Sequence, residues 1–117
     1  MSDIPRRIFE TNELPDAVAF ARDGGQALHL HQFCGRRAPK CFRDAIARGE
    51  SIAHLFDVNE VRLERTARLV GVNVVVIEKS GTARSHVDLC GEPLKRAVRL
   101  FSVSQRSLWP LSEGIEA

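Results

Sequence analysis

Two periodicities alternate along the chain, and the switches between them mark its elements. Leu14, Ala17, Val18 and Ala21 recur at i, i+3, i+4 and i+7, predicting a helix from Asn12, its cap, to about Asp23, where Gly24-Gly25 stops it. Ala27-Leu28-His29-Leu30-His31-Gln32-Phe33 then alternates apolar and polar with period two, as a half-buried strand does. After a Cys34–Ala38 loop, Pro39 opens a second helix with a Phe42, Ala45, Ile46 stripe ending at Gly49. Ser51–Asp57 is a short apolar run that fits helix or strand equally well. Asn59 to Val70 reads as a helix with Leu63, Thr66, Ala67 and Val70 on one face and Glu60, Glu64, Arg65 and Arg68 on the other. Val72–Ile77, rich in β-branched residues, and Ser85–Leu89 predict two strands joined as a hairpin through Ser80-Gly81-Thr82. A last helix follows Gly91, with Leu94, Ala97, Val98 and Phe101 inward.

Composition narrows the class without naming a chemistry. The 117 residues, 44% hydrophobic and 27% charged, suit one domain spanning 1–117 with a single core, its ends at 1–12 and 103–117 partly irregular. No apolar run approaches the ~20 residues of a membrane span, and the N-terminus lacks the apolar core of a signal peptide, so a cytoplasmic protein without membrane contact is expected. In that compartment Cys34, Cys41 and Cys90 read as three free thiols. Net charge is only +2, but 14 of the 17 basic residues are arginine, which suits bidentate contacts to phosphate and base edges and also follows from a GC-rich genome.

Gly49 to Arg68 resembles a helix-turn-helix. Ala53 takes the small contact position, Phe56 and Val58 flank the turn, Asn59 caps the second helix and Leu63 packs inward. Asp57 replaces the glycine usual at the turn, where φ is positive. The hairpin that follows gives the resemblance its winged form. The expected fold is therefore α+β: a helix-turn-helix with a β-hairpin wing and an additional N-terminal strand. The alternative is a compact α/β layer fold with a mixed sheet, in which Glu50–Gly71 is a strand and an amphipathic helix. The resemblance implies a DNA-binding protein, a small transcriptional regulator acting as a homodimer on two half-sites. Asn59, Arg62 and Arg65 would face base edges, and Arg68, Lys79 and Arg84 would meet phosphates.

Other residues support other chemistries. Arg36, Arg37 and Lys40, before a helix N-terminus, form an anion site in the α/β reading, which would make the chain a ligand- or phosphate-binding domain or a small enzyme. His29 and His31 share a strand face about 7 Å apart. They form a candidate metal pair that His54, His86 or Asp88 would complete, although a leucine–histidine alternation also describes a plain solvated face; no metal or cofactor is assigned. Cys90 and Arg96 have the C-x5-R spacing of cysteine phosphatases, but Glu92 inside the loop would repel the anion. Trp109 is expected to pin the C-terminal tail. Nothing in these patterns announces an enzyme, and a protein-interaction module fits them as well.

Overall fold

A computed structural model describes residues 4–108; Trp109 lies outside them. The class is α+β, with four helices and a four-stranded mixed sheet. Strand β1 (Arg6–Phe9) leads through a 3-10 turn (Thr11–Glu13) into α1 (Leu14–Arg22), and β2 (Gln26–His31) returns parallel to β1. Helix α2 (Lys40–Ala47), β3 (Ile52–Phe56), α3 (Glu60–Leu69), β4 (His86–Leu89) and α4 (Gly91–Leu108) follow. The sheet order is β1-β2-β3-β4, with β3 antiparallel to both neighbours. No helix among the described residues is long and apolar enough to cross a membrane.

The strand period decides which side each helix covers. Leu28, Ala53, Leu55, Val87 and Leu89 point to one face and meet Leu63, Ala67 and Val70 of the α3 region and Leu94, Ala97 and Phe101 of α4. Each large side chain buried there contributes roughly 1.5–3 kcal/mol. On the other face Ala27 and Phe56 pack with Phe9 under α1. Ile52, at the far end of that face, packs with Ala45, Phe42 and Ile46 of α2. The middle of this second face, between α1 and α2, is left for polar side chains.

Several sequence expectations change here. Ile52–Phe56 is a central strand, so the first helix of the proposed helix-turn-helix does not exist. The reason is tertiary: both faces of the segment find apolar cover, and both its edges find a strand partner. Asp57 occupies no left-handed turn, since Lys79 is the only non-glycine residue with positive φ among those described. Instead it is fully buried and gathers contacts from four residues. Arg62 grips its carboxylate through Nε (2.7 Å) and Nη2 (2.8 Å), Gln26 Nε2 donates to it at 2.8 Å, the Asn59 amide donates at 2.9 Å, and Ser85 Oγ donates to its carbonyl at 2.7 Å. Removing one partner of such a buried pair costs about 3–5 kcal/mol.

The hairpin wing is also absent. Only Glu78 bridges to His86; Val72, Val75 and Ile77 pack on the α3/α4 core while Val74 and Val76 stay exposed. That spacing is irregular, because the segment leaves α3 through Gly71 (φ +105°) and lies along the core without a ladder partner. β propensity without a neighbouring strand does not make a strand. At the N-terminus, β1 is an element the sequence reading left irregular, and Glu10 with Glu13 forms the capping box that opens the turn in which Asn12 lies.

Cys41 and Cys90 are joined as a disulfide, replacing two of the three expected free thiols; Cys34 remains free. The bond ties α2 to the residue that follows β4. Closing a loop across 49 positions stabilises the fold by about 4 kcal/mol in the chain-entropy account. It also removes the nucleophile from the Cys90–Arg96 spacing.

Candidate metal centre on the open face of the sheet

The open face carries all four histidines of the chain. Antiparallel register places His29 opposite His54 and His54 opposite Asp88, giving one row across β2, β3 and β4. His31 stands two residues along β2, and His86 two residues along β4. Period two puts all five side chains on the same side. Ring centroids lie 4.3 Å apart for His31 and His54, 4.6 Å for His54 and His86, 5.6 Å for His29 and His31, and 5.9 Å for His29 and His54.

Three of the four rings have one nitrogen anchored. His29 Nε2 lies 3.1 Å from the Thr11 carbonyl, so it carries a proton and leaves Nδ1 with a lone pair. His54 Nδ1 donates to Asp88 Oδ1 at 2.8 Å, and His86 Nδ1 donates to the Arg84 carbonyl at 2.9 Å. His29 Nδ1 and His31 Nε2 are buried with no hydrogen-bond partner among the described residues. His86 Nε2 faces Asp88 Oδ1 at 3.4 Å; with Nδ1 protonated, that contact is favourable when Nε2 carries a second proton or binds a cation. Imidazole anchored at one nitrogen and open at the other is the arrangement of a metal-ligating histidine.

Electrostatics divides the cluster. Burial, reinforced by the charges of His54 and His29, pushes His31 down to about 4, so it is neutral near pH 7. Burial likewise lowers His29, against the Thr11 carbonyl. At His86 burial acts downward too, but hydrogen bonds to Asp88 and the Arg84 carbonyl, with the charges of Asp88 and Glu78, outweigh it and raise the ring above its ordinary value. Burial alone would raise Asp88; His54 and His86 override it and hold the carboxyl well below the usual carboxylate range. The result is an ionised acid flanked by imidazoles, with one ligand atom each from His54, His86 and Asp88 all within 4.8 Å of one another.

His29, His31, His54 and Asp88 form the floor of a cavity of about 610 Å³ between α1 and α2, and His86 lines the neighbouring hollow. Leu14, Phe33, Ala38, Pro39, Phe42 and Ile52 supply its apolar walls, and Cys34 and Arg37 come from the loop before α2. Glu78 also lines it, placed on this side by its bridge opposite His86.

The structure thus brings His29 and His31 together with the three residues named to complete them. It separates the other sets. Of the anion candidates, Arg37 lines the cavity, Arg36 is exposed outside its lining, and Lys40 pairs with Asp44 at 2.7 Å. Of the DNA-contact candidates, Asn59 caps α3 by accepting from the Arg62 amide, Arg62 is held by Asp57 and the Gly24 carbonyl, and Arg68 pairs with Glu64 at 2.9 Å. Arg65 is exposed on α3. Lys79 and Arg84 border a second hollow of about 340 Å³ beside His86 and Asp88. Sequence reading missed Glu78, which no motif marks, and the Cys41–Cys90 bond, which no spacing rule requires. Comparison with protein-family models, with curated proteins and with solved structures finds no match in any of the three.

Proposed function

We propose that this protein binds one divalent transition-metal ion, of which zinc is the type, on the histidine-bearing face of its sheet. His54, His86 and Asp88 are the ligands, and the open Nε2 of His31 stands beside them. The observation that carries this reading is the convergence of every histidine in the chain with an ionised aspartate, with His29, His54 and His86 each anchored at one nitrogen. Imidazole nitrogen favours zinc, copper, nickel or iron over magnesium or calcium. Zinc–ligand bonds of about 2.0–2.2 Å put tetrahedral ligand atoms roughly 3.4 Å apart, a contraction from the present spread that side-chain rotation supplies. Two imidazoles and one carboxylate, of which His54 and Asp88 line the cavity, leave a coordination position facing it, which is the open arrangement of reactive rather than structural zinc sites. In the cytoplasm, the compartment expected from the sequence, the reducing pool would hold Cys41 and Cys90 as thiols, and α2 would then be kept over the site by packing alone.

The test is a calorimetric zinc titration of chelator-treated protein, with elemental analysis after gel filtration. One zinc per chain is expected, and His54→Ala or Asp88→Ala weakens binding by about 100-fold or more, above the 10–100-fold typical of losing a supporting partner. No binding by the wild type, or equal binding by both variants, contradicts the proposal.

A further inference from the structure

Arg37 stands out once the cavity is considered with its metal. Among the described residues it is the only arginine or lysine lining the cavity, and it has no hydrogen bond or ion pair with any of them. Lys40, three residues on, is already neutralised by Asp44. Two acids, Asp88 and Glu78, line the same space. Without metal, and with neutral imidazoles, the lining carries one positive and two negative charges, so its net charge of −1 disfavours an anion. A divalent ion on the floor reverses this to +1, which suits a monoanion.

The walls define what accompanies that charge. Leu14, Phe42 and Ile52 are apolar, and Phe33, 79% exposed, stands on the loop that carries Arg37. A volume of about 610 Å³ admits a small organic molecule. Guanidinium presents paired N–H donors that match a carboxylate.

We propose that the metal-loaded cavity binds a small organic carboxylate, its charged end between the metal ion and Arg37 and its apolar body against Phe42, Ile52 and Leu14. This rests on the metal reading above and adds a ligand class and a condition: binding requires the metal. The two sites are therefore coupled, with zinc and carboxylate each strengthening the other.

Phenylacetate is the probe, titrated by calorimetry into zinc-loaded wild type, zinc-free wild type and zinc-loaded Arg37→Ala. Arg37 is exposed and unpaired, so its removal leaves the fold intact, as a matching urea midpoint would confirm. The expected result is binding to the zinc-loaded wild type, loss in the zinc-free protein, and at least about 10-fold weakening in Arg37→Ala with zinc content unchanged. Phenethylamine, of similar size and opposite charge, should not bind. Protein that holds one zinc yet ignores phenylacetate, or binds it equally without zinc or without Arg37, overturns this inference and leaves the metal site standing. Protein that takes up no zinc overturns both.

Discussion

His54 and Leu55 are adjacent on β3 and live in opposite settings. Leu55, fully buried, closes the core beneath α3 and α4, where apolar side chains from three strands and two helices meet. His54 faces the gap between α1 and α2, with three other imidazoles and an ionised carboxylate around it. One short strand thus serves a stabilising face and a chemical face, separated by the period-two alternation. Cover differs accordingly: two helices lie over the first face, while on the second the helices stand apart and leave a cavity lined by the row His29, His54, Asp88. Burial without partners, costly anywhere else, is tolerated at His29 Nδ1 and His31 Nε2 because the other face holds the fold.

Substituting each neighbour tests this division most sharply. Leu55→Ala should lower unfolding free energy by about 2–5 kcal/mol, read from urea denaturation, with zinc affinity of the folded protein little changed. His54→Ala should shift metal-free stability by less than about 1 kcal/mol and abolish the stabilisation by zinc, which reaches about 2.7 kcal/mol at a concentration 100 times Kd. If His54→Ala instead destabilised the metal-free protein as much as Leu55→Ala, the open face would be a second core and the distinction would fail.

A smaller effect separates the faces by pH. His31 has a folded pKa of about 4 against about 6.5 unfolded. Between those values the unfolded chain binds the extra proton, so stability rises with pH across that window and is lost as pH falls through it. His86 works the other way: its raised value adds stability below about 6.5 that disappears as pH rises through the folded value. Asp88, depressed, contributes above about 3.9 and loses that contribution only in stronger acid. Metal-free protein should therefore lose stability from pH 6.5 to 5, and His31→Asn should flatten the slope, as paired urea midpoints would show. An unchanged slope would place the titrating group elsewhere.

What the sequence disclosed follows from which forces are local. The helices α1, α3 and α4 and strand β2 were legible because a solvent face and a core face alternate with a clear period. Ile52–Phe56 was ambiguous because Ile52 and Phe56 are buried on His54's face while Ala53 and Leu55 are buried on the other, which erases the contrast that periodicity needs. Val72–Ile77 misled, since β-branched composition does not reveal whether a partner strand is available. β1 escaped notice because Arg6-Arg7 offers no apolar alternation, although Ile8 and Phe9 anchor opposite faces of the sheet. The metal candidates were half legible. His29 and His31 are a pair by strand geometry alone, but their junction with His54, His86 and Asp88 depends on β3 lying antiparallel between β2 and β4, a pairing over long sequence distances.

X-ray absorption at the zinc edge of the one-zinc protein bears most directly on the central claim. Imidazole scattering with nitrogen and oxygen neighbours at about 2.0–2.2 Å and no sulfur shell is predicted, unchanged in Cys34→Ser. A sulfur shell near 2.3 Å would move the metal to the cysteines, and a spectrum without imidazole scattering would remove it from the sheet face altogether.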